Sequence, residues 1–282
     1  MAKHQVDPRT DPDVPKGMSI ALLKDLHLLT REGQLNADAR RKLKQIRHLV
    51  GLLKPAIEDS LARHPEPAII DCGAGKSYLG ALLYELVLGP AGRGTLTAIE
   101  ARPELSEAAA ARAARFGQDR FKVATGHIAT SEEHPQVVTA LHACDTATDD
   151  ALVLAIANGA DHVAVVPCCQ AEVARQLEKS RPSDPAIGAL FAHPLHRREL
   201  GSHLTNVVRS LVLEAHGYKV TVTELVGWEH SAKNELILAR RVNRFDGKAR
   251  ATLRELLEKF GIEPAIVRDL TARGMDPRAD VH

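Results

Sequence analysis

Aromatic residues, long apolar runs and an excess of charge of either sign are all scarce in this chain of 282 residues. Only 3% of the residues are aromatic, which argues against a single-stranded nucleic-acid surface built from stacked rings. The apolar run at 151–157, one of the longest, is far too short to span a bilayer. A formal net charge of +1 excludes a globally basic nucleic-acid binder. Charge is nevertheless uneven, since residues 1–67 and 241–282 are net basic and residues 68–240 are net acidic.

Cysteine is also sparse. The four cysteines come without extracellular context, which favours free thiols over a disulfide framework. Residues 1–17 are polar and proline-dotted and lack the apolar segment of a signal peptide, so we expect a disordered lead there. Together these absences predict a cytoplasmic protein with no membrane contact.

What the chain does contain is an alternation of short β-branched runs and helical patterns from residue 68 onward. This alternation is the signature of a doubly wound parallel sheet. Strands are predicted at 68–72, 95–99, 121–125, 137–141 and 162–166, followed by a hairpin of 218–225 and 235–239. The predicted fold is therefore α/β, with helical segments on both sides of the sheet domain.

The flanking segments have helical spacing of their apolar residues. One helix is predicted over 18–29 and a second from near Asn36 or Asp38, with Pro55 kinking or splitting it. Its basic face is either a solvated surface or an RNA-facing patch, and comprises Arg40, Arg41, Lys44, Arg47 and His48. Two more helices, at 247–260 and 263–273, are expected to recruit substrate or form a homodimer, with Gly261 ending the first.

The first predicted strand ends in Asp71 and leads into a turn with Gly73 and Gly75. Glycine permits sharp backbone turns and close approach of a ligand. Ser77 is expected to cap a helix over 79–88. Such a turn binds phosphate, a dinucleotide or a sulfonium cofactor, or binds nothing and merely reverses the chain.

Glycine spacing separates these alternatives. A phosphate-binding P-loop requires a glycine at position 70, and a dinucleotide turn requires one at position 78; the chain has Ile70 and Tyr78. The remaining pattern, Asp-x-Gly-x-Gly after a strand, resembles motif I of the class I S-adenosylmethionine-dependent methyltransferases. Glu100, at the end of the second strand, lies where a nucleoside ribose needs a hydroxyl acceptor.

A second pair of segments carries a more specific resemblance. Leu141-His142-Ala143-Cys144-Asp145-Thr146-Ala147-Thr148-Asp149 and Pro167-Cys168-Cys169 are similar to the paired signature "LHxCGxATD…PCC". That signature marks a methyltransferase subgroup, which includes the domain found in glutathione S-transferase C-terminal domain-containing and methyltransferase-like proteins. The tRNA acceptor-stem 2′-O-methyltransferases carry a related pair. The chain departs from the pattern at Asp145, where the family has glycine.

The resemblance covers about residues 65–240 and implies a Rossmann-like seven-stranded sheet with S-adenosyl-L-methionine as cofactor, in a domain predicted over residues 65–242. Residues 18–64 and 243–282 are then helical extensions. The residues expected to bind the cofactor are Asp71, Gly73, Gly75, Tyr78, Glu100, Ala101, His127 and Cys144.

Catalytic and substrate residues are assigned from their places after the strands. His142 and Asp145 follow the fourth strand, where a base acting on the methyl acceptor would lie. The long segment 180–199 is expected to be irregular, and is either a segment that binds an anionic substrate or a solvated loop. The predicted substrate residues are Pro167, Cys168, Cys169, Arg197, Arg198, Trp228 and Asn234.

The function predicted on these grounds is methyl transfer from S-adenosylmethionine, with RNA (tRNA or rRNA) preferred as acceptor over a protein or a small molecule. A SAM-binding scaffold without catalysis is the alternative, because Asp145 replaces the family glycine. A third interpretation is a thiol redox or metal protein, since Cys72, Cys144, Cys168 and Cys169 all follow strands. No metal site is predicted, because the cysteines lack Cys-x-x-Cys spacing.

Overall fold

The structure of the protein, a computed structural model, describes residues 11–12, 14–131, 133–141, 143, 145–167, 170–182, 184–224 and 235–279, without the side chains of residues 38, 45 and 46. Six of the predicted site residues lie outside these ranges. They are His142, Cys144, Cys168, Cys169, Trp228 and Asn234.

Seven strands form one mixed sheet in the order β3-β2-β1-β4-β5-β7-β6. The strands are β1 (Ala68–Cys72), β2 (Thr95–Glu100), β3 (Phe121–Thr125), β4 (Val137–Ala140), β5 (His162–Val165), β6 (Tyr218–Glu224) and β7 (Glu235–Arg241). β1 to β5 are parallel, whereas β7 is antiparallel to both β5 and β6. The strand order reverses between β1 and β4, which creates the topological switch point where open α/β sheets bind ligands. The predicted fold class is confirmed.

Helices precede, connect and follow the strands. They are α1 (Ile20–Asp25), α2 (Ala37–Arg63), α3 (Tyr78–Leu83), α4 (Gly89–Ala91), α5 (Pro103–Arg115), α6 (Thr146–Ala157), α7 (Glu172–Lys179), α8 (Pro185–Ala189), α9 (Pro194–Ala215), α10 (Gly247–Phe260) and α11 (Ala265–Ala272). A π-helical turn, Tyr84–Leu88, continues α3 into α4, and a 3₁₀ turn, Ile128–Thr130, stands between β3 and β4. None of the described helices is long and apolar enough to cross a membrane.

Alternate strand residues point to two apolar cores, one on each face of the sheet. In β1, Ile69 packs in the core formed with α1, α2 and α3, whereas Ile70 and Cys72 pack in the core formed with α6, α9, α10 and α11. Strands buried on both faces read as continuous apolar runs, which is why the sequence predicts them well. The C-terminal helices contribute buried residues to the second core, including Leu253 and Ile266, so their apolar faces pack within this chain.

The N-terminal segment differs from the sequence expectation in two respects. Asp11 and Val14 are buried, and Asp11 forms an ion pair with Arg40 at 2.7 Å, so this part of the predicted disordered lead packs against α2. Asn36 caps α2 as expected, accepting a hydrogen bond from the Ala39 N–H. Pro55 lies inside α2 without splitting it, since the helix continues to Arg63.

The prediction that residues 180–199 are irregular is wrong over most of that segment. α8 begins at Pro185, and α9 begins at Pro194 and runs for 22 residues. Proline is favoured in the first helical turn, where its missing N–H costs no hydrogen bond, so these prolines mark helix starts. Arg197 and Arg198 are consequently helical residues in the first turns of α9.

Candidate functional site

The glycine turn after β1 is closed by hydrogen bonds to the end of β2. Ala74 N–H donates to the Ile99 carbonyl at 3.0 Å, and Gly75 N–H donates to Glu100 Oε2 at 2.7 Å. Gly73 and Gly75 have φ values of 63° and 59°, in the left-handed region that favours glycine. The two strand ends predicted to bind the cofactor are therefore joined directly.

Gly73 also lies against the loop that follows β4. A Cβ atom added at Gly73 would lie 3.1 Å from the Ala143 Cα, closer than an ordinary van der Waals contact. The glycine therefore permits a conformation and a close backbone contact that a larger residue would disturb. This contact brings the β1 and β4 ends together at the switch point.

Ser77 does not cap α3, which corrects the sequence prediction. Its φ and ψ of 53° and 40° are left-handed, whereas an N-cap that accepts from the helix has extended backbone angles. The Ser77 N–H closes the turn on the Ala74 carbonyl at 2.8 Å, and its buried hydroxyl has no hydrogen-bond partner among the described residues. The Ser77 hydroxyl is thus a buried polar group without a described hydrogen-bond partner at the start of α3.

Glu100 is buried at the end of β2, and both of its carboxylate oxygens accept hydrogen bonds. Arg102 donates from its backbone N–H at 3.0 Å and from its Nε at 2.8 Å, in addition to the bond from Gly75. These bonds, chiefly those from the Arg102 side chain, outweigh burial and hold the pKa of Glu100 below its usual range. The carboxylate is therefore ionised at neutral pH and can accept hydrogen bonds from the hydroxyl groups of a ligand.

Asp71 lies fully within the sheet, opposite Ala98 of β2 and Thr139 of β4. Burial raises the pKa of Asp71 to about 7, although the Thr139 hydroxyl donates to Oδ1 at 2.9 Å and acts in the other direction. A buried carboxyl that titrates near neutrality is unusual and is typical of functional sites. Asp71 can be present in either protonation state under physiological conditions.

Asp145 follows β4 and precedes α6, with a φ of 53° and a ψ of −122°. Its Oδ1 accepts from the Ala171 N–H at 3.0 Å and the Glu172 N–H at 3.3 Å, and its Oδ2 pairs with Arg175 at 3.2 Å. Burial alone would raise the pKa of Asp145, but these donors lower it below its ordinary value. The carboxylate therefore caps the N-terminus of α7 and is a weak base, which disfavours the predicted catalytic role.

A buried polar network lies behind the Asp145 turn, and the sequence analysis missed it. Arg209 of α9 donates to Asp149 at 2.7 Å, to Asn206 at 3.2 Å and to the Asp145 carbonyl at 2.9 Å. Asn206 Oδ1 also accepts from Gln170, which follows β5, at 3.0 Å. The pattern "ATD" was noted as a motif, and the network gives its aspartate, Asp149, a structural partner 60 residues away.

The same motif supplies a second structural hydrogen bond. The Thr148 hydroxyl, buried in the first turn of α6, donates to the Ala143 carbonyl at 2.6 Å. This hydrogen bond ties Ala143, which follows β4, to the first turn of α6. A threonine at this spacing from a strand end was the only sequence signal for this role.

The other predicted residues occupy varied positions. Tyr78 starts α3 and is half-buried, Pro167 is buried after β5, and Ala101 and His127 are exposed after β2 and β3. Arg197 pairs with Glu178 of α7, and Arg198 pairs with its neighbour Glu199. These two arginines lie on the α7–α9 layer, whereas the cofactor residues predicted within the described ranges gather at the ends of β1, β2 and β3. All of these assignments remain predictions.

A metal site is not found within the described part of the chain, where no three His, Cys, Asp or Glu side chains cluster closely enough to bind an ion. Cys72 is a free, buried thiol, and burial raises its pKa well above the ordinary value. A thiol in that state is a poor nucleophile. The other three cysteines lie outside the described residues.

With this geometry established, residues 41–176 match the profile of a protein family described as "Methyltransferase domain". The match covers just under half of the chain, from within α2 to within α7. No curated protein sequence matches the chain.

Several solved structures share the general arrangement at low similarity. The magnesium protoporphyrin IX methyltransferase of Synechocystis PCC 6803, with bound SAH, is 12% identical over 78% of this chain and 93% of its own, with a TM-score of 0.46. An rRNA methylase from Streptococcus thermophilus is 10% identical over 62% of this chain and 87% of its own, with a TM-score of 0.41. The precorrin-6y C5,15-methyltransferase of Geobacter metallireducens is 13% identical over 62% and 80%, with a TM-score of 0.39.

The match of residues 41–176 to a methyltransferase domain supports a methyltransferase enzyme. S-adenosylmethionine is the cofactor that such a domain implies.

Proposed function

We propose that this methyltransferase binds S-adenosylmethionine at the ends of β1 and β2 and transfers its methyl group to RNA. The cofactor supplies a methyl group on a positively charged sulfur, from which an aligned nucleophile can take it. The observation that carries the proposal is the direct hydrogen bond between Gly75 of the glycine turn and Glu100, since it builds one continuous binding edge. We also propose that the protein belongs to the methyltransferase subgroup that carries the "LHxCGxATD…PCC" signature.

Each residue of this edge has a distinct contribution. Gly73 and Gly75 allow the backbone to approach the ligand, because neither carries a side chain into the turn. Glu100, kept ionised by Arg102, accepts hydrogen bonds from ribose hydroxyls. Asp71, with a pKa raised to about 7 by burial, favours a cationic group nearby, because a positive charge stabilises its ionised form.

Methyl transfer from a sulfonium depends mainly on alignment and exclusion of water, so a strong base is required only when the acceptor must lose a proton. His142 is proposed as that base, because it directly follows the β4 region. The low pKa of Asp145 makes it better suited to fixing the adjacent loop than to removing a proton.

RNA is proposed as the acceptor because basic residues flank the acidic central region of the chain. On α2, Lys44, Arg47 and His48 are exposed, and Arg198 is exposed on α9. Such residues would contact phosphates without reading the base sequence. We also propose that Trp228 and Asn234 bind the methyl acceptor.

The test is calorimetry with S-adenosylmethionine and S-adenosylhomocysteine, followed by transfer of labelled methyl groups to total RNA and to total protein. We expect binding of both ligands and label in RNA. Glu100→Ala should weaken binding at least tenfold, whereas Glu104→Ala, an exposed glutamate in the first turn of α5, should not. Failure of both ligands to bind would refute the cofactor assignment, and label only in protein would refute RNA.

A non-catalytic SAM-binding scaffold is the second candidate, because Asp145 replaces the family glycine and is engaged by α7. Binding of both ligands without label in either fraction would favour it.

A further inference from the structure

Arg209 is the largest side chain that is completely buried in the described part of the protein. Its partner Asp149 is buried to the same extent, and the two side chains are 1% and 2% exposed. A buried ion pair is weak evidence for stability, because removing both charges from water costs about as much as their attraction returns. Stability alone therefore does not explain why the protein has this buried ion pair.

The guanidinium group binds the loop after β4 directly and is linked through Asn206 of α9 to the loop after the neighbouring strand β5. Its Nη2 donates to the carbonyl of Asp145, after β4, at 2.9 Å. Its Nη1 donates to Asn206, which in turn accepts from Gln170, after β5, at 3.0 Å. The side-chain oxygen of Gln170, Oε1, accepts from the Ser202 hydroxyl at 3.0 Å, so both ends of that amide are fixed by α9.

The residue that Arg209 holds is in an unfavourable backbone conformation. Asp145 has a φ of 53° and a ψ of −122°, which a residue with a side chain adopts only when its surroundings enforce it. Two sets of bonds enforce it: Arg209 binds the carbonyl, and the first N–H groups of α7 bind the carboxylate. The turn is therefore fixed from α9 on one side and from α7 on the other.

These two loops lie at the carboxyl ends of strands next to the switch point, where the ligands of an open α/β sheet bind. We propose that Arg209 is a positioning residue, which fixes the β4 and β5 loops relative to each other and so aligns the methyl acceptor with the cofactor. This inference rests on the proposed function. It assigns a role at the site to a side chain that does not contact the ligands.

The experiment separates positioning from stability by comparing single and double variants. Arg209→Met alone leaves Asp149 charged and unpaired in the core, and should unfold at a lower temperature than the wild type. Combining Arg209→Met with Asp149→Leu removes both charges, and should restore most of the thermal stability. The double variant thus tests the loops in a folded protein.

In the double variant we expect the affinity for S-adenosylhomocysteine to fall roughly tenfold, and methyl transfer on the order of 100-fold, because small misalignments strongly reduce transfer. Amide hydrogen exchange should accelerate in segments 145–148 and 170–174. Arg209→Lys should not rescue transfer, since one ammonium group cannot bind Asp149, Asn206 and the Asp145 carbonyl in the same planar geometry.

Arg250 offers a matched control. It is also buried and donates to main-chain carbonyls, including that of Ala215, the last residue of α9, at 2.6 Å, and it lies outside the Asp149 network. Arg250→Met should lower thermal stability without changing ligand affinity per folded molecule or exchange at 145–148.

A stable double variant with wild-type ligand affinity, wild-type transfer and unchanged exchange would overturn the inference and leave Arg209 a purely structural residue. If the wild type itself binds neither cofactor form, the proposed function fails. Exchange at 145–148 and 170–174 still decides whether Arg209 positions the loops.

Discussion

The glycine turn after β1 and the Asp145 turn after β4 lie against each other at the same edge of the sheet, yet they are fixed by different means. The first has two glycines at positive φ, continues through Ser77 at a φ of 53°, and is closed by main-chain donors. The second places a non-glycine residue at positive φ and enforces it with side chains from α7 and α9. The first turn is held by glycines and by the hydrogen bonds of its own main chain, and the second by side chains that are distant in sequence.

This difference indicates where each turn is vulnerable. The glycine turn should fail when a side chain is added within it. The Asp145 turn should fail when partners are removed elsewhere in the chain. Four predictions test this contrast, from the largest expected effect to the smallest.

Arg209→Met should reduce the free energy of unfolding by about 3–5 kcal/mol, because it leaves the buried Asp149 carboxylate unpaired. Chemical denaturation at neutral pH measures the loss. Arg198→Met, an exposed arginine on the same helix, is the control and should change stability by less than about 0.5 kcal/mol. A loss below about 1 kcal/mol for Arg209→Met would contradict the account of an imposed turn.

Asp71→Asn should change how stability depends on pH. Because burial raises the pKa of Asp71 to about 7, against about 4 in the unfolded chain, the unfolded state releases this proton first. The wild type should therefore lose up to about 4 kcal/mol relative to the variant as pH rises from about 4 to 7, and little more above that. Unfolding midpoints across this range, with Asp119→Asn at an exposed position as control, measure the effect; parallel curves would refute it.

Gly73→Ala should cost about 2–4 kcal/mol, combining the left-handed backbone with the short contact to Ala143. Gly92→Ala is the matched control. Gly92 also has a positive φ, of 69°, but nothing lies within 4 Å of an added Cβ, so only the backbone cost of about 1–2 kcal/mol applies. Equal losses in the two variants would show that the packing between the two turns contributes nothing.

Asp145→Ala should cost about 1–2 kcal/mol, because it removes the α7 cap and retains the unfavourable φ. Asp145→Gly should cost less, under about 1 kcal/mol, since glycine relieves the backbone while losing the same cap. The difference between the two unfolding free energies isolates the conformational cost. A glycine variant less stable than the alanine variant would mean that the turn is not strained.

The contrast also explains what could be predicted from the sequence. The strands were placed to within one or two residues. For β1, β2, β4 and β5 this is because runs buried on both faces carry a local signal. The glycine turn was also found from a local signal. Its glycine spacing, read within ten residues, excludes a P-loop and a dinucleotide-binding turn. Ser77 was misassigned because the neighbouring glycines turn the chain left-handed where a cap needs an extended residue.

The Asp145 turn could not be predicted, because its determinants are remote in sequence. Arg209 lies 60 residues from Asp149 and 64 from Asp145. Its spacing from Val212 and Leu213 places it on the buried face of α9, but nothing near it in sequence indicates which groups it binds there. The helical start at Pro194 was read as part of a loop, which hid the length of α9. The sequence motif marked this region as special without showing that several of its residues bind one another.

One feature of the fold bears on how the protein is made. Residues 126–131 and 133–136 contain only the 3₁₀ turn Ile128–Thr130, and α11, near the C-terminus, packs on α6 beside it. Ile266, Val267 and Leu270 of α11 are fully buried there. During translation the five parallel strands therefore leave the ribosome well before the helix that completes one of their two cores. Until α11 has left the ribosome, the apolar surface of α6 lacks this partner, and transiently exposed apolar surface of this kind promotes aggregation.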